Sequence, residues 1–253
     1  MDPDLVERAA VHAALGEPVR LAIVDELVRS DRAPSELAAR FDLSTNLLAH
    51  HLAVLERVGL VERSVSSGDR RRRYVRIVAT GRADPTGCAD PTGPGVRAEE
   101  QRRRDALFVC THNSARSQLA AAIWRQRTGA SATSAGTSPA ERVHPGAVAA
   151  ARRRGLDLGR SVPRRLAATD LATADLVVTV CDRAHEEVDL PSEAVHWSVP
   201  DPVAVDGDSR RLAVGDPFDL VVELLDRRIT AFAATGPTRI ATQVPIPTAT
   251  LQL

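Results

Sequence analysis

The chemistry in this sequence concentrates in Cys110-Thr111-His112-Asn113-Ser114-Ala115-Arg116-Ser117, where a thiol and a guanidinium are separated by five residues. That pair suits attack on a tetrahedral oxyanion. Arg116 can grip the anion through two parallel N–H donors, while Cys110, as a thiolate, supplies the nucleophile. The arrangement works only if the backbone N–H groups of Thr111, His112, Asn113, Ser114, Ala115 and Arg116 turn inward at the start of a helix, whose dipole favours negative charge. The flanking residues fit. Ala106-Leu107-Phe108-Val109 reads as a buried strand, and Ala115, Leu119, Ala122 and Ile123 fall at helical spacing. A lone Cys at a strand end is more often a small buried hydrophobe. The strand–loop–helix context, with Asn113 and Ser117 beside it, favours the site reading.

Positioning such a loop requires a sheet, and residues 105–235 alternate strand and helix. Strands are expected at 106–110, 132–136, 176–180 and 194–199, and helices at about 115–128, 144–154, 169–173, 182–188 and 217–234. Alternation with short connections predicts an α/β unit with a four-stranded parallel sheet covered on both faces, its site at the carboxyl ends of the strands. Cys181, at the end of the third strand, reads either as a second thiol at that edge or as a small buried residue.

The loop resembles the signature of the low-molecular-weight protein tyrosine phosphatases and of the arsenate reductases that share their fold, which reads Cys-x-x-Asn-x-x-Arg-Ser. Cys110, Asn113, Arg116 and Ser117 match it. The resemblance implies that Cys110 attacks, Arg116 binds the oxyanion, Asn113 holds the loop shape and Ser117 hydrogen-bonds the thiolate. It also implies that Asp201, in the Asp201-Pro202 pair after the fourth strand, is the general acid. His112 stands where many of the phosphatases carry Gly, and if φ is positive there, His is a tolerable substitute. The phosphatases usually follow the Asp-Pro pair with aromatic residues; here Val203-Ala204 follow, and this half has no Tyr. Val178-Thr179-Val180-Cys181-Asp182 and His196-Trp197 look instead like the thioredoxin-linked arsenate reductases. In those enzymes a further Cys follows the second by seven residues, a position held here by Val188. Cys181 could then attack a sulfur-linked arsenic adduct on Cys110, leaving arsenite and a disulfide. No bound cofactor is expected, only an external reductant, either thioredoxin or a low-molecular-weight thiol.

Residues 1–78 read as a mainly α winged helix-turn-helix. Leu5 to Leu15 predicts a first helix, Pro18 and Pro34 open the next two, and Ser44 caps a fourth from Thr45 to Val58 ended by Gly59. Leu48, Leu52 and Leu55 share its inner face and leave Thr45, Asn46 and His50 to contact base edges. Strands at 60–66 and 74–78 flank Ser67-Gly68-Asp69, and Arg70, Arg71, Arg72 and Arg73 make this hairpin a wing for phosphate backbone. An Arg run is commonly just a solvated turn. Helix, turn, helix and wing in this order favour double-stranded DNA as a partner. Leu15-Gly16-Glu17-Pro18-Val19-Arg20-Leu21 and His51-Leu52-Ala53-Val54-Leu55-Glu56 resemble the ArsR-type repressors, which implies a homodimer. That family's metal sensing does not carry over. Ser35 to Leu43 holds no Cys, and His50 and His51 face different ways, so no metal site is expected.

The 33 cationic and 33 anionic side chains balance, so DNA binding must rest on local patches. Three unevenly spaced Cys argue against a disulfide framework and for a reducing compartment. The acidic N-terminus lacks a secretory pattern and no apolar run spans a membrane, so a cytoplasmic protein is expected. The repeat Ala83-Asp84-Pro85-Thr86-Gly87 and Ala89-Asp90-Pro91-Thr92-Gly93, with Cys88 between, predicts a flexible linker over 79–104. A Pro-rich tail follows at 236–253. The reading is a DNA-binding repressor fused to an arsenate reductase. The alternatives are a DNA-binding protein with genuine phosphatase activity and a non-catalytic oxyanion or redox sensor.

Overall fold

The computed structural model describes residues 2–78, 104–203 and 215–234. The linker expected over 79–104 (Arg104 apart), with Cys88, and the tail at 236–253 lie outside the described residues.

The first half is built from α1 (Pro3–Leu15), α2 (Pro18–Arg29), α3 (Pro34–Arg40), α4 (Thr45–Arg57), β1 (Val61–Val65) and β2 (Arg73–Ile77). Its boundaries follow local chemistry. The Glu17 side chain accepts from the N–H groups of Val19 and Arg20 to cap α2, and Ser44 Oγ accepts from Leu47 N to cap α4. Asp42, at φ 51°, makes the turn between α3 and α4. The two strands pair antiparallel, and Arg32 bridges to Val75 beside them. Ile23, Val24, Leu27, Leu37, Leu48, Leu52, Leu55 and Val75 form a separate small core.

The second half contains β3 (Ala106–Cys110), α5 (Arg116–Thr128), β4 (Ala132–Gly136), α6 (Pro145–Arg153), α7 (Ala168–Thr173), β5 (Leu176–Thr179), α8 (Asp182–Glu187), β6 (Val195–His196) and α9 (Pro217–Ala234). The strands form one parallel sheet in the order β4-β3-β5-β6. Every residue of β3 and β5 is buried, as a sheet covered on both faces requires. Helix α9 lies along α5 and α6, and α8 rests on β3 and β5. Trp124, Trp197, Phe108 and Phe232 pack as neighbouring rings in this core, with centroids 5.8 to 6.3 Å apart. Among the described residues no helix is long and apolar enough to cross a membrane.

The strand expected at 194–199 is shorter than the sequence suggests, because its end serves the other half of the molecule. After Trp197 N donates to Thr179 O, Ser198 N turns to Asp31 Oδ2 at 2.8 Å and Trp197 Nε1 donates to Arg29 O at 2.9 Å. Asp31, fully buried, also accepts from Arg228 Nη2 of α9 at 2.7 Å, and its N–H donates to His196 O. A buried charge is tolerable only when paired and hydrogen-bonded in this way. The two halves therefore share a polar seam.

Candidate functional site

The loop from Thr111 to Ala115 leaves β3 at its carboxyl end and enters α5 at Arg116. A second segment holds its outer side. Thr137 N, Ser138 N, Ala140 N and His144 N donate to the carbonyls of Cys110, Thr111, His112 and Ser114 at 2.8 to 3.2 Å. Tying those carbonyls to that segment fixes the loop backbone, as an anion cradle built from its N–H groups requires. The segment approaches so closely that Gly136 has no room for a side chain: a Cβ there would sit 2.6 Å from Thr111 O.

Asn113 is the keystone. It is fully buried with φ 47°, a left-handed conformation that Asn tolerates better than most residues. Its Oδ1 accepts from Arg164 N at 2.9 Å and Gln118 Nε2 at 3.2 Å, while Nδ2 donates to Ser117 Oγ and Ser134 Oγ, both at 2.9 Å. The loop's positive φ thus falls on Asn113 and not on His112, and the substitution of His for Gly carries no such strain. Since Ser117 Oγ accepts from Asn113, its own hydrogen is free for Cys110 Sγ, 3.0 Å away. Asn113 N also donates to that sulfur, at 3.2 Å.

Arg116 is nearly buried. Its Nη1 donates to Val199 O at 3.1 Å and its Nη2 to Asp201 Oδ2 at 2.9 Å. Cys110, His112, Ser114, Ala115, Arg116 and Asp201 line one open cavity of about 440 Å³, to which His144 and Val203 also contribute. Cys181 lies on the other side of the loop, its Sγ 3.3 Å from Thr111 Oγ1. Burial pushes the Cys181 thiol up, Cys110 adds to this, and the Arg116 guanidinium opposes it. That sulfur also accepts from Ala184 N at 3.4 Å, capping α8.

Sequence reasoning missed the residues that support this edge from behind. Gln118, Ser134 and Gly136 brace the loop, and their signals (a Gln one turn into the helix, Ser-Ala-Gly after the second strand) acquire meaning only once β4 lies beside β3. In the sequence, Asp182 and His196 carry no signal beyond their place in the segments 178–182 and 196–197. His196 bridges Asp182 Oδ1 at 3.1 Å and Thr179 Oγ1 at 2.9 Å, and stacks on His185 with centroids 4.1 Å apart. Burial alone would raise Asp182, but the His196 hydrogen bond and charge, with Ser67 N behind them, hold it at about 2. Burial, reinforced by His196 and Arg32, pushes His185 down to about 3.

On the first half, Thr45, Asn46 and His50 are exposed along α4, while Leu48, His51, Leu52 and Leu55 turn inward. Arg70, Arg71, Arg72 and Arg73 are exposed at the hairpin, with Arg71 paired to Asp69 at 3.1 Å.

A parallel four-stranded α/β unit with a Cys-x5-Arg loop at its carboxyl edge, joined to a helix-turn-helix, defines the class. Residues 105–244 match the model of the low molecular weight phosphotyrosine protein phosphatase family, and the chain belongs to that family. Residues 15–64 match a helix-turn-helix domain model. The chain is 37% identical over 135 residues to an arsenate reductase of Halalkalibacterium halodurans, covering 51% of this chain and 94% of that protein. It is 31% identical over 140 residues to an arsenate reductase of Bacillus licheniformis, covering 53% of this chain and 98% of the relative. Among solved structures it is similar to an arsenate reductase from Archaeoglobus fulgidus, with 31% identity, a TM-score of 0.38, and coverage of 51% of this chain and 98% of the other.

Proposed function

We propose that the second half reduces arsenate and the first half binds double-stranded DNA as an ArsR-type repressor, with both activities on one cytoplasmic chain that acts as a homodimer. The observation that carries the reductase reading is the second buried thiol, Cys181, whose sulfur contacts the oxyanion loop itself. Phosphate-ester hydrolysis has no use for it. The relatives' names agree with this reading.

In the proposed reaction the arsenate oxyanion takes the place of Asp201 against Arg116, gripped by the guanidinium fork and the N–H groups from Thr111 to Arg116. Ser117 steadies the thiolate of Cys110, which attacks arsenic. Asp201 protonates the departing oxygen, which leaves as water. Cys181 then attacks Cys110 Sγ. The sulfur–arsenic bond breaks, its electron pair stays on arsenic, and a disulfide forms. Two thiols have lost two electrons and As(V) has become arsenite. An external thiol, thioredoxin or a small molecule, reduces the disulfide; Val188 removes the third thiol of the related relay.

The test is turnover of the purified full chain with arsenate and each donor, beside an aryl phosphate. Arsenite should form, and Cys110→Ser should abolish it with every donor. Cys181→Ser should stop turnover with thioredoxin. Hydrolysis of the aryl phosphate without arsenite would replace this reading with the phosphatase one.

A further inference from the structure

The wing is seated on the catalytic half. Ser67 N donates to Asp182 Oδ2 at 2.7 Å, and Asp69 N donates to Glu186 Oε2 at 2.8 Å. Ser66 Oγ and the Tyr74 hydroxyl both donate to Glu186 Oε1, at 2.7 and 3.1 Å. Gly68 makes the approach possible, since a Cβ there would lie 3.0 Å from Arg183 Cα. Below, Tyr74 packs on His196 with ring centroids 4.7 Å apart. Every acceptor in this seat belongs to α8, a helix of six residues.

Backbone amides and hydroxyls at the tip of a basic hairpin are the groups that would otherwise meet DNA phosphates. Here two carboxylates, which like phosphate oxygens only accept, hold them. We propose that α8 is an internal competitor for DNA: Asp182 and Glu186 latch the wing tip, and the wing reaches phosphate only when the latch opens. The seam at Asp31, Arg228 and Trp197 is separate and keeps the halves together when the tip lets go.

The latch connects to the thiols through covalent structure. Cys181 Sγ caps α8 at Ala184 N, and Asp182 is the next residue. A disulfide requires the two sulfurs about 2.05 Å apart. As part of a disulfide with Cys110, the Cys181 sulfur would be a poorer acceptor for Ala184 N, and so short a helix has little stability of its own. Closing the Cys110–Cys181 disulfide therefore opens the latch and raises affinity for DNA. By linkage, DNA on the wing loosens the helix that Cys181 caps. This redox arm rests on the reading of Cys181 as the second reacting thiol; the latch does not.

The experiment uses the full chain and a short mixed-sequence DNA duplex, with binding followed by fluorescence anisotropy across a salt series. With thiols reduced, Glu186→Gln should bind roughly tenfold more tightly than the natural chain, from the loss of charge-assisted bonds. Its salt dependence should steepen by about one phosphate contact. Gly68→Ala, whose methyl would collide with Glu186 Oε2 and Arg183, should do the same with every residue of α8 unchanged. Unchanged affinity and salt slope in both folded variants would overturn the latch. In the second arm the natural chain is oxidised with diamide or turned over once with arsenate, and the disulfide is read by intact mass. The disulfide form should bind the duplex as tightly as Glu186→Gln, and Cys181→Ser, which retains a capping side chain, should not respond. A verified disulfide with unchanged DNA affinity would overturn the coupling. Failure to form a disulfide under either treatment would instead sink the two-thiol reading and the redox arm, while Glu186→Gln still decides the latch.

Discussion

The oxyanion loop and the wing are both short connections rich in hydrogen bonds, yet they are held in opposite ways. The loop is fixed from within its own fold. Asn113 alone joins Ser117, Gln118, Ser134 and Arg164, and three loop carbonyls with that of Cys110 are tied to the segment after β4. The wing leaves Arg70 to Arg73 in solvent, and the acceptors for its tip come from a helix more than a hundred residues away. A site for chemistry needs donors fixed to a fraction of an ångström and is overdetermined by its neighbours. A surface for DNA needs exposed charge and a conformation that a partner can still change.

The largest effect should come from breaking the loop's internal support. Asn113→Ala leaves Ser117, Ser134 and Arg164 N without their shared partner and places Ala at positive φ. Turnover should fall by about two orders of magnitude or more, and urea unfolding should show a loss on the order of 3 kcal/mol. A variant of near-normal stability and activity would mean that the loop is not held through Asn113.

Acid should separate the two regions next. His185, beneath the wing beside Asp182, His196 and Arg32, is pushed down to about 3 from its ordinary value of 6.5. The folded state favours its neutral form. The stability this contributes is complete above pH 6.5 and is lost as pH falls toward 3. Between pH 7 and pH 5 the loss should be on the order of 2 kcal/mol. His185→Asn should lose less over the same interval in urea melts. Asp182 has the depressed carboxylate pattern, so its contribution persists above 3.8 and is lost only as pH drops toward about 2. Equal pH profiles for the natural chain and His185→Asn would remove His185 from the wing's seat.

The smallest effect on the fold should come from the wing's solvent side. Arg71→Ala with Arg72→Ala should change stability by less than about 0.5 kcal/mol. Binding to all duplexes should weaken alike, and the salt slope should flatten by about two. Asn46→Ala or His50→Ala should instead reduce preference among sequences. If the double Arg variant binds with unchanged salt slope, the hairpin is a solvated turn.

Much of this molecule was legible in one dimension because its signals are local. A buried apolar run, a helix cap at Ser44, a Pro at a first turn and the Cys110 to Ser117 spacing each act within a few residues, where periodicity and backbone sterics dominate. The four-stranded parallel sheet followed from alternation, and the family matches support it. What sequence could not show were partners brought together by long-range packing. Nothing local marks Asp31 as the acceptor for Arg228 and Ser198, or explains why β6 ends at His196 to serve that seam. Ser67-Gly68-Asp69 reads as an ordinary turn until α8 supplies Asp182 and Glu186. Hydrogen bonds and charge pairs are short-ranged and direction-dependent, so their partners are decided only when the tertiary fold sets distance and angle. The chemistry of each half was written locally; the contact between the halves was decided by the fold.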